Sequence, residues 1–241
     1  MARPLRPRPL VKICGLSTVA TLEAALAADA DQIGLVFFPK SPRHVSLDQA
    51  RTLAGLARGQ ATIVALTVDA DDAAIDAIMD AVSPDWLQLH GRESPARVAA
   101  VRQTTRRPVM KAIGIAEAAD LAQAEPYRVC ADRILFDAKP PRGATLPGGN
   151  GVAFDWPILR DVALPYMLSG GLTPATVGTA LAVTGAKAVD VSSGVETAPG
   201  LKDAGLIAAF VAAARQVGTP PAPGLAASRG LSDRTQIGDP S

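Results

Sequence analysis

Histidine and cysteine are scarce in this chain, and their scarcity excludes several kinds of site. The 241 residues include two cysteines, Cys14 and Cys130, and two histidines, His44 and His90. The cysteines lie far apart and form no CxxC pair, so neither a disulfide framework nor a cysteine zinc site is indicated. Two histidines are too few for a histidine-rich metal site, and we therefore predict no bound metal.

The chain also lacks an excess of one charge and any long apolar run. It has 24 basic and 23 acidic residues, so nothing indicates a polyanionic partner such as nucleic acid, or a membrane surface. No apolar stretch reaches the roughly 20 residues that span a bilayer. The first nine residues are basic and rich in proline but have no apolar signal-peptide core. We therefore predict a cytoplasmic protein.

What the chain does have is a regular alternation of strand-like and helix-like segments. Short apolar runs, typical of parallel strands buried on both faces, alternate with amphipathic segments about eight times. This predicts one (β/α)8 barrel over residues 10–216, with a doubly wound open sheet as the alternative. The barrel is favoured because Cys14, Arg43, His90 and Asp137 fall at or just past strand ends, which converge in a barrel.

Local signals set the expected boundaries. Residues 1–9 form a basic, proline-rich arm, and residues 217–241 have the composition of a disordered tail. Ser17 is the expected N-cap of the first helix, and the helix after the seventh strand is expected to begin at Thr173 or Pro174. Residues 139–151 are rich in proline and glycine and predict a long loop that could close over a site.

Two strand ends carry groups that can transfer protons. Val11-Lys12-Ile13-Cys14-Gly15 indicates a strand that ends in a thiol, and alternation places Lys12 and Cys14 on one face. A buried cysteine often only fills space. The sixth strand, however, ends on Asp137, so a thiol and a carboxyl would face each other across the barrel mouth. Two such groups on opposite sides of one small substrate are typical of an isomerase.

Two glycine-containing loops predict a phosphate site. They follow the seventh and eighth strands, where barrels commonly bind phosphate. Glycine lets backbone N–H groups approach an anion closely, although the same glycines could simply make tight turns. The predicted phosphate-binding residues are Gly170, Gly171, Ser192, Ser193 and Gly194.

Four further polar residues have expected roles around the site. Arg43 could pair bidentately with a substrate carboxylate, although a loop arginine can also be merely solvated. His90 is expected to be a lumen residue hydrogen-bonded to a neighbour rather than a direct participant. Lys12 and Asp190 lie on faces that would meet where the first and last strands pair, so we predict an ion pair beneath the site.

Six motifs together resemble the phosphoribosylanthranilate isomerase family of tryptophan biosynthesis. The likeness covers about residues 10–215, in residues 11–15 (VKICG), 34–43 (GLVFFPKSPR), 88–91 (QLHG), 154–156 (FDW), 168–172 (LSGGL) and 190–196 (DVSSGVE). The resemblance implies an aldose–ketose (Amadori) rearrangement of N-(5-phosphoribosyl)anthranilate to 1-(2-carboxyphenylamino)-1-deoxyribulose 5-phosphate. This reaction is an intramolecular oxidoreduction of a small phosphoribosyl substrate.

The family likeness also implies residue roles. Asp137 would be the general acid on the ribose ring oxygen, and Cys14, as thiolate, would remove the proton from C2. Arg43 would hold the anthranilate carboxylate, and no cofactor or metal would be needed. The sequence itself leaves both a monomer and a homodimer open. Ala138, Val152 and Ala153 depart from the family pattern, which has a hydroxyl residue after the acid and Lys-Thr before Phe154.

Three other readings compete. A histidine-pathway isomerase acting on an aminoimidazole ribotide would have similar phosphate loops, but an aspartate in place of Cys14. A non-catalytic phosphometabolite-binding protein would need neither Cys14 nor Asp137. A metal-dependent epimerase would need more ligands than two histidines supply. The presence of both proton-transfer groups favours the phosphoribosylanthranilate isomerase.

Overall fold

Eight parallel strands close into a barrel in sequence order. The structure is a computed structural model that describes residues 8–140, 143, 148–149, 151 and 153–216. The first strand pairs with the second and with the eighth, which closes the sheet. The predicted (β/α)8 barrel is thereby confirmed, and the open-sheet alternative is wrong. The strands are β1 (Leu10–Cys14), β2 (Gln32–Phe37), β3 (Thr62–Thr67), β4 (Trp86–Leu89), β5 (Val109–Ile115), β6 (Arg133–Ala138), β7 (Tyr166–Leu168) and β8 (Ala188–Val191).

Helices cover the outside of the barrel, but two connections differ in type from the expectation. Helical residues after β5 and β6 form 3₁₀-helices, Ala118–Tyr127 and Trp156–Leu159. Pro126 lies inside the first of them, where proline cannot donate the backbone hydrogen bond that a longer α-helix needs, and the second is only four residues long. The α-helices are α1 (Val19–Ala27), α2 (Leu47–Ala57), α3 (Asp72–Val82), α4 (Pro95–Thr105), α5 (Val177–Thr184) and α6 (Ala204–Gln216).

Two helix starts lie later than the sequence predicts. The N-cap of α1 is Thr18, whose hydroxyl accepts from the Thr21 N–H, so the expectation of Ser17 is wrong by one residue. Helix α5 begins at Val177, because the residues before it form a turn in which the Thr173 N–H donates to the Thr176 hydroxyl at 2.9 Å. The glycines after β7 are therefore separated from α5 by that turn.

The two faces of β1 show why the barrel interior can hold a site. Val11 and Ile13 point outward into the main apolar core beneath the helices. Lys12 and Cys14 point inward, and both are buried. Strand alternation thus gives the sheet an apolar outer face and places polar groups in its lumen.

A short hairpin extends the connection after β8. It consists of β9 (Glu196–Ala198) and β10 (Leu201–Lys202), which pair antiparallel. The sequence analysis did not predict it. The hairpin lies at the C-terminal end of the barrel strands and contacts the loop that follows β2.

The described residues end close to the predicted domain limits. Arg215, in the last turn of α6, donates hydrogen bonds to the Pro9 carbonyl and to Asp31, at 2.7 Å for the latter. Most of the predicted arm, residues 1–7, and the predicted tail, residues 217–241, lie outside the described residues, so both stay predictions. Among the residues described, no helix is long and apolar enough to cross a membrane.

Candidate active site

One cavity opens at the C-terminal ends of the strands. It is lined by nearly all the site residues that the sequence predicts. Lys12 is the exception, because it lies fully buried below the cavity floor. The predicted residues that line it are Cys14, Arg43, His90, Asp137, Gly170, Gly171, Asp190, Ser192, Ser193 and Gly194.

The Cys14 thiol occupies space that a glycine on the neighbouring strand leaves open. Cys14 pairs in register with Gly34 of β2. A Cβ atom at Gly34 would lie 2.9 Å from the Cys14 sulfur and 3.2 Å from the Lys12 ammonium. Such approaches are closer than van der Waals contact allows. Gly34 is therefore part of the site, and the sequence analysis did not single it out.

The predicted ion pair between Lys12 and Asp190 is present. The two residues are in register across β1 and β8, and Lys12 Nζ lies 2.8 Å from Asp190 Oδ1. Burial alone would lower the pKa of Lys12, but the charge of Asp190 and the nearby thiol raise it above its usual value. Lys12 therefore stays a cation in the barrel interior.

Burial has the opposite effect on the pKa of Cys14, the candidate general base. It raises the pKa of the Cys14 thiol above its usual value, and the neighbouring charge of Lys12 offsets this only in part. The thiol is therefore mostly protonated near neutral pH, with a cation beside it that favours the thiolate.

Asp137 lies across the cavity beside His90. One carboxyl oxygen accepts from the Ala138 N–H at 2.9 Å, and the other lies 3.4 Å from His90 Nε2. His90 Nδ1 is 3.0 Å from the amide nitrogen of Gln88. The two ring nitrogens of His90 thus face Gln88 on one side and Asp137 on the other, and the imidazole tautomer decides which of them donates.

Arg43 is held by a carboxylate that the sequence analysis did not assign. Its Nε and Nη2 donate to the two oxygens of Glu196, both at 2.7 Å. Lys202 donates to the same carboxylate at 2.5 Å. Burial would raise the pKa of Glu196, but the hydrogen bonds and charges of Arg43 and Lys202 outweigh it and lower the pKa to about 2. Arg43 is thus buried in an ion cluster rather than solvated.

The two glycine loops predicted to bind phosphate pack directly on each other. A Cβ atom at Gly194 would lie 1.8 Å from the Leu172 carbonyl oxygen. Gly170 and Gly171 both have positive φ, at 85° and 65°, which other residues adopt only with strain. A side chain at Gly194 would push the loops apart. The serines and glycines of both loops line the same side of the cavity.

Comparison with known proteins identifies the family. A family profile for N-(5'phosphoribosyl)anthranilate (PRA) isomerase matches residues 11–213. The chain belongs to the phosphoribosylanthranilate isomerase family. It is 62% identical over 207 residues to the N-(5'-phosphoribosyl)anthranilate isomerase of Rhodopseudomonas palustris strain BisA53, covering 85% of this chain and 95% of that protein. Its activity is therefore the isomerisation of N-(5'-phosphoribosyl)anthranilate in tryptophan biosynthesis, as the sequence motifs predict.

Solved phosphoribosylanthranilate isomerases have the same fold. One is in complex with reduced 1-(o-carboxyphenylamino)-1-deoxyribulose 5-phosphate. It is 33% identical with a TM-score of 0.74, and the match covers 85% of this chain and 97% of that one. Another, described as monomers generated from the dimeric enzyme of Thermotoga maritima, is 33% identical with a TM-score of 0.73 and the same coverage.

In this isomerase the loop after β6 approaches the site through two glycines. A Cβ atom at Gly148 would lie 2.6 Å from both Asp137 Oδ2 and His90 Nε2. A Cβ atom at Gly149 would lie 2.6 Å from Arg43 Nη1. The backbone therefore lies directly against the acid candidate and the arginine. Only glycine permits this approach.

The predicted departures from the family pattern lie close to these groups. Ala138 donates its N–H to Asp137, and Ala153 packs against Gly171, where an added Cβ atom would lie 2.5 Å from the alanine Cβ. Val152 lies outside the described residues. The alanine at 138 thus leaves the backbone contact with the acid intact.

Proposed function

We propose that this isomerase acts by general acid–base catalysis, with Asp137 as the acid and Cys14 as the base. The observation that carries the proposal is that the thiol and the carboxyl line one cavity from strands on different sides of the barrel. A substrate bound between them would present its ring oxygen to one group and its C2 hydrogen to the other.

The first step opens the ribose ring. Asp137 gives its proton to the ring oxygen while the C1–O bond breaks, and the lone pair of the anthranilate nitrogen forms a C1=N iminium. His90 Nε2 lies 3.4 Å from Asp137, and with its proton on that nitrogen the imidazole can donate a hydrogen bond to the resulting carboxylate.

The second step removes the proton from C2. The Cys14 thiolate takes this proton, and the C–H electrons form the C1=C2 bond of an enolamine while the iminium nitrogen is neutralised. Proton transfer from the C2 hydroxyl and to C1 then gives the ketose. Because burial raises the pKa of the free thiol, the positive charges of Lys12 and of the iminium are what favour the thiolate.

Charge around the cavity matches the two ends of the substrate. Arg43, Glu196 and Lys202 together carry one excess positive charge, which suits the anthranilate carboxylate at Arg43. The backbone N–H groups and hydroxyls of the two glycine loops suit the phosphate. We propose these roles for Arg43 and for Gly170, Gly171, Ser192, Ser193 and Gly194, with Lys12, His90 and Asp190 in support.

The test is turnover of freshly generated N-(5'-phosphoribosyl)anthranilate, followed through loss of anthranilate fluorescence. Removing a general acid or base typically costs 10²–10⁴-fold, so Cys14→Ser and Asp137→Asn should each lower kcat at least about 100-fold. Cys130→Ser is the matched control, because Cys130 is the other buried cysteine and packs away from the cavity. It should retain wild-type kcat. Near-normal turnover by either site variant would overturn the acid–base assignment.

For location and assembly, we propose a cytoplasmic enzyme that works as a monomer or a homodimer. The description of a similar enzyme as dimeric favours the dimer. Light scattering coupled to size-exclusion chromatography distinguishes the two states. A mass near 24.7 kDa would indicate the monomer, and twice that mass the dimer.

A further inference from the structure

Arg43, Glu196 and Lys202 form a buried ion cluster with more hydrogen bonds than a single ion pair has. The Glu196 carboxylate accepts four hydrogen bonds: two from Arg43, one from Lys202 and one from the Gly200 N–H at 3.2 Å. The three side chains are 6%, 3% and 1% exposed, in the order given. Every lone pair of the carboxylate is thus directed at a donor, and its position is fixed from several sides.

Glu196 occupies one edge of the Arg43 guanidinium, and Arg43 also lines the cavity. Glu196 takes the edge formed by Nε and Nη2. The other edge, formed by Nη1 and Nη2, lies against Gly149, whose carbonyl accepts from Nη2 at 3.3 Å. A guanidinium can bind one carboxylate along each edge, because its five N–H groups have a fixed planar arrangement. The orientation of the second edge is therefore set by what holds the first.

The hairpin after β8 brings Glu196 to this place. Glu196 and Lys202 are partners across β9 and β10. Gly200, in the turn between them, has a φ of 84°, and a Cβ atom there would lie 2.5 Å from the Pro42 carbonyl oxygen. The hairpin thus packs closely on the loop that carries Arg43. Its position and that of Arg43 are coupled through backbone contact as well as through charge.

Lys202 connects the cluster to the base candidate. It donates to the Ser192 carbonyl at 3.0 Å and to the Ser192 hydroxyl at 3.1 Å. The same hydroxyl donates to the Cys14 carbonyl at 3.1 Å. Lys202 thereby fixes Glu196 relative to the end of β1, where the thiol lies.

We propose that Glu196 is a positioning residue for substrate binding: it orients Arg43 so that the guanidinium edge formed by Nη1 and Nη2 receives the substrate carboxylate in place of the Gly149 carbonyl. Lys202 holds Glu196 in turn. This inference rests on the proposed role of Arg43, and it adds a residue that touches no substrate atom. Loss of Glu196 should therefore weaken recognition of the carboxylate specifically, and leave the phosphate and the proton transfers largely unaffected.

The test compares two ligands that differ only in that carboxylate. The probes are reduced 1-(o-carboxyphenylamino)-1-deoxyribulose 5-phosphate and the corresponding phenylamino compound without the carboxyl group, both measured by calorimetry. For Glu196→Gln we expect a loss of about tenfold or more in affinity for the carboxylated ligand, the scale of one well-oriented charge-assisted contact. Affinity for the other ligand should change by less than about twofold. In turnover the loss should appear chiefly in KM.

Two further variants test the positioning role of Glu196 separately from the proposed carboxylate binding by Arg43. Arg43→Met should lose the preference for the carboxylated ligand, and Glu196→Gln in that background should cause no further selective loss. Wild-type preference in Arg43→Met would refute the role of Arg43. Loss of preference in Arg43→Met but not in Glu196→Gln would overturn the positioning role alone. Equal weakening of both ligands by Glu196→Gln would likewise overturn it, because that result indicates general disruption.

The controls address folding. Glu125→Gln makes the same chemical change at an exposed residue paired only with Arg128, and should bind both ligands as wild type does. If Glu196→Gln does not fold, Glu196→Asp keeps the charge but withdraws the carboxylate by one methylene group. Arg43 must then shift or lose a hydrogen bond, so the same selective loss is expected. An Asp variant with full preference for the carboxylated ligand would refute the inference.

Discussion

Replacing Lys12 by methionine should destabilise the barrel by several kcal/mol. Methionine is similar in length, so it leaves little empty space, and the main change is the loss of a cation beside Asp190. The pair is 2.8 Å apart, and Lys12 and Asp190 are 0% and 4% exposed. Breaking a buried pair by removing one partner costs about 3–5 kcal/mol, because the remaining charge is left in a medium that solvates it poorly.

The assay is urea unfolding at pH 7, with the free energy of unfolding extrapolated to water. A loss of about 3–5 kcal/mol is a large part of the roughly 5–15 kcal/mol that stabilises a typical protein. The double variant Lys12→Met with Asp190→Asn should be more stable than Lys12→Met, since it removes the unpaired charge. Lys187→Met, at an exposed position, serves as the control.

A loss below about 1 kcal/mol for Lys12→Met would refute the reasoning, since that is the range of exposed ion pairs. A double variant no more stable than Lys12→Met would refute it as well. Asp190→Asn tests the same ion pair: unchanged stability together with unchanged activity in this variant would show that the pair is not needed. Either outcome would mean that water or another anion, rather than Asp190, compensates the charge of Lys12.

Three further predictions follow from the described contacts. The pKa of Glu196 is lowered from 4.5 to about 2, so its contribution to the free energy of unfolding is present above pH 4.5 and is lost as the pH falls through about 2. Urea unfolding should therefore show a loss of about 3 kcal/mol from this group between pH 5 and pH 2. The Glu196→Gln variant should lack this part of the pH dependence. Gly34→Ala puts a Cβ atom 2.9 Å from the Cys14 sulfur, so steady-state kinetics should show kcat reduced about tenfold or more with KM little changed, and wild-type kcat would contradict the packing argument. Truncation after residue 216 should leave turnover intact, whereas truncation after residue 214 removes Arg215 and should lower the thermal midpoint.

The strand ends were predictable from the sequence because they depend on local patterns. A run such as Val11–Cys14 followed by glycine specifies a strand, its two faces and the residue at its end. Once eight such units are recognised, barrel topology brings Cys14, His90 and Asp137 to one mouth. The pairing of Lys12 with Asp190 follows from the same alternation plus closure of the sheet, which is why it could be predicted over such a distance.

The surroundings of Arg43 could not be predicted in this way. Its partner Glu196 lies in a hairpin after the last strand, and the alternation of strands and helices contains no information about that hairpin. The role of Gly34 could not be predicted for another reason: it depends on the strand register, which places Cys14 opposite Gly34. The N-cap of α1 differs by one residue because Ser17 and Thr18 can both cap a helix, and only local hydrogen bonding selects between them. Helix α5 begins later than predicted because Thr173 and Thr176 form a turn before it.

The closing contact between β1 and β8 also has consequences for how the protein folds. Lys12 and Asp190 are 178 residues apart in the chain, so the partner of the buried ammonium is synthesised long after the lysine itself. Contacts of such long range form slowly, because the entropy of closing the intervening chain is lost before the contact stabilises anything. A nascent chain that lacks β8 has no carboxylate for Lys12 and no closed wall beside the thiol. The reactive part of the molecule is consequently completed at the last stage of folding, after most of the barrel has been made.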